Sequence, residues 1–192
     1  DALFETIKAS HGKLLFWEDH YFRLMSSMRI LRMEIPMSFS PEFLEEEILK
    51  TIKANKGSQE ACRIRLAVFR KGAGKYTPET NEISFVISNE QVTSQDYGLN
   101  KVGLKIDLFK DHYKQKSLLS NLKTANALLY VLASVYREEN NLEECVLLND
   151  NKEVVEAISA NIFMVKGDVI YTPAIETGCL KGVMRKNVLK LI

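Results

Sequence analysis

No surplus of either charge runs through this 192-residue chain: 26 Lys and Arg stand against 25 Asp and Glu, for a formal net charge of +1. Without excess basic groups to neutralise phosphates, nucleic acid and anionic membrane are excluded as main partners, which leaves a small molecule or another protein chain. No apolar run approaches the roughly 20 residues needed to cross a bilayer. Asp1-Ala2-Leu3-Phe4-Glu5 has neither the basic n-region nor the apolar h-region of a secretory leader, so a cytoplasmic protein is expected. Cysteine is scarce: Cys62, Cys145 and Cys179 are odd in number, far apart and without C-x-x-C spacing. Neither a disulfide framework nor a zinc site follows, and each is expected to be a small buried apolar residue. His11, His20 and His112 are scattered with no pair at i, i+4, so no metal site is expected.

What is present is a succession of periodic segments. Residues 3–9 are apolar and β-branched, Ser10-His11-Gly12 is a turn, and residues 14–17 form a second short run, which reads as a β-hairpin. Apolar residues at 21, 24, 25, 28 and 31 follow a 3.6-residue period and predict a helix that stops before Pro36. Ser40-Pro41-Glu42 is a helix start, and Phe43, Leu44, Ile48, Leu49 and Ile52 give it one apolar stripe down to Asn55-Lys56-Gly57. Alternation over residues 62–69 and 83–87 marks two strands, so the first half reads β-β-α-α-β-β. Residues 89–98 are polar without period and are the candidate linker. Beyond them a strand is expected over 102–109, then a basic loop, a helix over about 121–139, and strands over 145–148, 154–158, 162–165 and 169–171. A last helix begins near Lys181-Gly182.

Several residues could carry chemistry. Gly72-Ala73-Gly74-Lys75 invites a phosphate-loop reading, but Phe69 and Tyr76 stand where that motif needs glycine and Ser or Thr, so a hairpin loop is expected. His20, one turn from Arg23, reads as a surface or half-buried histidine. Lys123 opens the helix Thr124-Ala125-Asn126-Ala127-Leu128-Leu129, where partial desolvation would make an amine nucleophilic; a solvated lysine is the plainer reading. Glu156, set among apolar strand residues, is either buried with a cationic or hydrogen-bonding partner or turned to water at an edge. The stretch Gly178-Cys179-Leu180-Lys181-Gly182-Val183-Met184-Arg185 ends in a helix start after a glycine, where free backbone N–H groups suit an anion.

The order of these pieces is specific. Leu3-Phe4-Glu5-Thr6, His20-x-x-Arg23-Leu24, Lys123-x-x-Asn126, Glu156-x-x-x-x-Asn161-Ile162-Phe163, Tyr171-Thr172-Pro173 and Leu180-Lys181-Gly182-Val183-Met184-Arg185 follow one another over nearly the whole chain. Together they resemble the class IV (fold type IV) pyridoxal-phosphate enzymes, which comprise branched-chain aminotransferases, D-amino acid aminotransferases and aminodeoxychorismate lyases. The resemblance implies an α/β (α+β) fold of two domains: residues 1–90, an antiparallel sheet with two helices, and residues 98–192, a pseudo-barrel domain carrying the cofactor lysine, incomplete at its C-terminus. It implies pyridoxal 5'-phosphate as cofactor and no metal. Lys123 would bond the cofactor and then shuttle the Cα proton. Glu156 would sit against the pyridine nitrogen, and Arg23 with the backbone N–H groups of Val183 and Met184 would hold the phosphate. Phe4, Thr6 and Arg65 would line the substrate, and a homodimer is expected.

Subfamily signals divide. Asn126 at the third position after the lysine and Leu128 at the fifth depart from the branched-chain pattern. Thr6 looks like the lyases, Leu180-Lys181-Gly182 like the D-aminotransferases, and Arg65 like the branched-chain position near the substrate carboxylate. The leading expectation is amino-group transfer between an amino acid and a 2-oxo acid. Release of pyruvate and 4-aminobenzoate from aminodeoxychorismate is the alternative, and a non-catalytic family member the second.

Overall fold

The computed structural model describes residues 1–55, 61–93 and 97–192. The chain divides into two compact units, Asp1–Leu99 with Lys123–Ala125, and Asn100–Leu122 with Asn126–Ile192.

The first unit is a four-stranded antiparallel sheet ordered β2-β1-β3-β4, built from β1 (Ala2–Ser10), β2 (Lys13–Leu14), β3 (Cys62–Arg70) and β4 (Ile83–Gln91). Alternation puts Leu3, Ile7, Ile64, Leu66 and Val68 on one face, fully buried. Against that face pack α1 (Trp17–Ile30) through Leu24, Met25 and Met28, and α2 (Pro41–Ala54) through Leu44, Ile48 and Ile52. Ser40 caps α2 by accepting the Phe43 N–H at 3.2 Å, with Pro41 in the first turn, as the sequence predicts. The turn residues Lys56 and Gly57 lie outside the described residues. The glycine loop after β3 folds back on itself: the Glu79 carboxylate accepts the Ala73 N–H at 3.1 Å, so an acid already sits where a phosphate would have to bind.

The second unit holds a three-stranded sheet ordered β5-β6-β7, from β5 (Ile106–Lys114), β6 (Glu144–Asn149) and β7 (Val154–Ala157). β5 and β6 are parallel, so a crossover must join them, and α3 (Leu128–Glu139) supplies it. Phe109, Ala133, Cys145 and Leu147 form the core, with Leu129, Tyr130 and Tyr136 packed around it. β8 (Met164–Lys166) and β9 (Val169–Tyr171) form a separate hairpin, and α4 (Val183–Leu189) follows with Gly182 as N-cap. All three cysteines are buried and free, as expected. Among the described residues, no helix is long and apolar enough to cross a membrane and no metal-binding cluster exists.

Several boundaries differ from expectation. Residues 89–91, placed in the linker, extend β4 because Asn89, Glu90 and Gln91 pair with Ile64, Arg63 and Cys62; residues 94–96 of that linker lie outside the described residues. The strand expected over 102–109 is β5, displaced to Ile106–Lys114, and so takes in much of the expected basic loop. The helix expected from 121 begins at Leu128; a single 3₁₀ turn, Leu118–Asn121, precedes it, and residues 123–125 are not helical, Thr124 forming a bridge to Leu3.

Candidate active site

Phe4, Thr6 and Lys8 alternate with the buried Leu3, Glu5 and Ile7, so β1 offers one face to the helices and one open face. Lys123 comes to the edge of this strand through backbone pairing. Phe4 N–H donates to the Lys123 carbonyl at 3.0 Å and Ala125 N–H to the Ala2 carbonyl at 2.8 Å, framing an antiparallel bridge between Leu3 and Thr124. The lysine therefore does not open a helix: the β1 edge takes up the very backbone groups that a helical turn would have used. Lys123 is a half-buried residue whose Nζ stands 4.5 Å from the centroid of the Phe4 ring, and the Arg65 guanidinium stands 3.9 Å from the same centroid. Arg65 faces Thr6 in the β1–β3 register, and among the described residues no carboxylate pairs with it. Phe4, Arg65, Lys123 and Thr6 are thus brought together.

Arg23 is held elsewhere. Its Nε donates to Glu5 Oε1 at 2.8 Å and a terminal nitrogen to Glu5 Oε2, while His20 Nδ1 lies 2.7 Å from Oε2. Burial alone would raise the Glu5 pKa, but the His20 ring and the Arg23 guanidinium outweigh it and hold the carboxyl below its usual range. His20 is buried, not a surface histidine, because Glu5 supplies the partner that a buried imidazole needs. The Glu5 side chain leaves β1 on the face opposite Phe4, so the structure ties Arg23 to the covered face of that strand.

In the second unit Glu156 on β7 is buried at 3% exposure, which decides between the two readings of its sequence. Three donors converge on its carboxylate: Lys114 Nζ and the Tyr130 hydroxyl on Oε1, the latter at 2.7 Å, and the Leu180 N–H on Oε2 at 2.8 Å. Burial, reinforced by the Glu156 charge, pushes the Tyr130 hydroxyl far up, so it remains a proton donor.

Asparagines pin the segment that carries Leu180. Asn121 Nδ2 donates to the carbonyls of Ile175 and Cys179, Asn149 Nδ2 to that of Thr177, and Asn161 Nδ2 to that of Leu180. Gly182 follows, packed so closely on Asn161 that an added Cβ would overlap its Oδ1. The first helical residues after it are Val183, buried, and Met184, half exposed; as in any helix, their N–H groups have no partner within the helix.

Sequence reasoning misses Lys114 and Tyr130, which fall in the expected basic loop and in the helix expected over about 121–139. The one available signal is Glu156 itself, since a buried carboxylate demands a cation and a hydroxyl somewhere in the chain.

The donor set suits pyridoxal phosphate residue by residue. Lys123 offers an amine beside an aromatic ring, Glu156 a fixed carboxylate for a ring N–H, and the start of α4 N–H groups that have no partner within the helix for a phosphate. A family model described as Amino-transferase class IV matches residues 2–192. The aminodeoxychorismate lyase of Vibrio harveyi is 27% identical over 194 residues, covering 100% of this chain and 69% of that protein. A putative branched-chain-amino-acid aminotransferase of Methanocaldococcus jannaschii is 28% identical over 197 residues, covering 100% of this chain and 65% of that one. Among solved structures, a branched-chain aminotransferase of the archaeon Thermoproteus uzoniensis with norvaline superposes with a TM-score of 0.85 at 24% identity, over 99% of this chain and 64% of the other. The chain thus spans about two thirds of the length of these proteins.

Proposed function

The chain belongs to the class IV amino-transferase family, and from that premise we propose that it is a pyridoxal-phosphate-dependent enzyme moving an amino group between an amino acid and a 2-oxo acid. The observation that carries this reading is the station of Lys123: the amine of a half-buried residue, fixed by backbone pairing to the β1 edge and set against an aromatic ring.

When bound, pyridoxal phosphate accepts the electron pair left as a bond to the substrate Cα breaks. In this reading Lys123 Nζ would be the amine that holds the cofactor, and it would take the Cα proton of the substrate and return it. Proximity does much of the work, since the Phe4 ring and the β1 edge restrict where the amine can travel. Glu156 would hold a proton at the pyridine nitrogen, the Val183 and Met184 N–H groups would hold the phosphate, and Arg65 with Phe4 and Thr6 would receive the substrate; Arg23, the phosphate ligand that the family resemblance implies, is bonded to Glu5 and would have to reach the phosphate from that ion pair. The family premise extends to a homodimer, which sedimentation equilibrium of the purified chain tests.

Aminodeoxychorismate lyase activity is the second reading. It is favoured by the 27% identity to the Vibrio harveyi lyase and by the exposed Thr6 placed opposite Arg65. Both reactions begin with Cα proton removal by Lys123 and part at the fate of the substrate.

The test combines labelling and product analysis. The purified chain with pyridoxal phosphate should show a visible absorption band, and borohydride should fix the label on Lys123 but not in Lys123→Ala. Glutamate formed from 2-oxoglutarate and a donor amine supports the transaminase; pyruvate with 4-aminobenzoate from aminodeoxychorismate supports the lyase instead. A label spread over other lysines in both proteins sinks both readings, and a Lys123 label without turnover identifies a non-catalytic member.

A further inference from the structure

The arrangement around Glu156 asks more of its neighbours than burial requires. An ionised carboxylate has about four acceptor positions. On Oε1 two are filled, by Lys114 Nζ and by the Tyr130 hydroxyl at 2.7 Å. On Oε2 one is filled, by the Leu180 N–H at 2.8 Å. Counting the described residues, one acceptor position therefore remains, on Oε2. Lys114 is itself enclosed, with its side chain 6% exposed and its ammonium 5.4 Å from the centroid of the Tyr130 ring, so it has nowhere else to place its charge. A lone carboxylate could rotate either oxygen outward. With two donors on Oε1 and the Leu180 N–H on Oε2, that rotation is closed to Glu156.

Resting on the functional reading above, we propose that Lys114 and Tyr130 are positioning residues that fix the Glu156 carboxylate with a single free acceptor on Oε2, reserved for the N–H of a protonated pyridine ring. Lys114 supplies the charge and Tyr130 the orientation. Their effect on the cofactor passes entirely through Glu156.

The experiment compares dissociation constants for pyridoxal 5'-phosphate and its 1-deaza analogue, in which CH replaces the ring nitrogen, at neutral pH. A residue that merely supports the fold would weaken both ligands alike and leave their ratio unchanged. The wild-type chain should prefer the natural cofactor by roughly 10- to 100-fold, the range for a hydrogen bond to a charged group, and Glu156→Gln should bring the ratio near unity. Lys114→Met should shrink the preference about tenfold, Lys114→Arg should restore it, and Tyr130→Phe should lower it about threefold. A wild-type ratio retained in Lys114→Met overturns the inference; should that variant not fold, a wild-type ratio in Tyr130→Phe does the same. If wild type shows no preference yet borohydride labels Lys123, this inference falls and the functional reading stands. If Lys123 is never labelled, the functional reading falls and takes this one with it.

Discussion

The acid at residue 5 shows how one side chain can organise a helix against a strand. Glu5 is 1% exposed and draws both Arg23 and His20 from α1 onto β1. Its carboxyl titrates below the ordinary value of 4.5, because its two partners outweigh the burial that would raise it. A group whose folded-state pKa is depressed contributes stability that is present in full above the unfolded value and lost as pH falls through the folded one. Urea unfolding from pH 7 down to pH 3 should therefore show wild type losing stability more steeply below about 4.5 than Glu5→Gln does. Near neutrality Glu5→Gln should be the weaker protein by about 3–5 kcal/mol, since it leaves Arg23 enclosed without its counter-charge. Parallel acid limbs for the two proteins would show that Glu5 is not the titrating group. This pairing is hidden from sequence because residues 5, 20 and 23 belong to different elements; only the order of Phe4-Glu5, His20 and Arg23 is visible. Arg65 and Lys123 are legible as chemistry-bearing residues, but their shared aromatic ring is not, because the β1–β3 register that sets it is a tertiary fact.

Elements are legible in proportion to how far local forces decide them. α2 announces itself through Ser40 and Pro41 and begins where they predict. β5 does not, because only Phe109 and Lys114 along it are buried, and a strand facing water on most positions carries little period-two signal. The start of α3 lies later than expected for the opposite reason: residues 123–125 have ordinary helical composition, yet the edge of β1 recruits them. That recruitment is testable. Ala125→Pro deletes the N–H that reaches the Ala2 carbonyl, and should cost about 1–3 kcal/mol by urea unfolding while lowering the borohydride label on Lys123. Undiminished labelling would mean the bridge does not station the lysine. The Leu180 segment offers a second case. An added Cβ at Gly182 would overlap Asn161 Oδ1, so Gly182→Ala should displace Asn161 from the Leu180 carbonyl and cost about 1–3 kcal/mol. Asn161→Ala combined with Gly182→Ala should then cost less than the two changes summed, because the first removes the atom with which the second collides.

At the scale of the molecule, the fold class follows from the two halves reading as different patterns: hairpin, helices and sheet before residue 89, and alternating strands and helices after it. The division between them is less legible. A polar stretch resembles a linker whether or not its first residues pair in a sheet, and nothing local shows that residues 123–125 leave the second unit to join the first. Each unit nonetheless has a core of its own, with Leu66 central to one and Leu147 to the other, both fully buried. Truncating either should cost about 2–5 kcal/mol, because a cavity opens in a close-packed interior. Hydrogen exchange should tell the two apart. Leu147→Ala should lower the protection of amides in β6 and α3 while leaving β1 and β3 near their wild-type values, and Leu66→Ala should do the reverse. The borohydride label separates them again, since Lys123 hangs on β1: Leu66→Ala should diminish it more than Leu147→Ala does. Equal loss of protection throughout the chain in both variants would show a single cooperative structure, in which Lys123 and Glu156 stand or fall together.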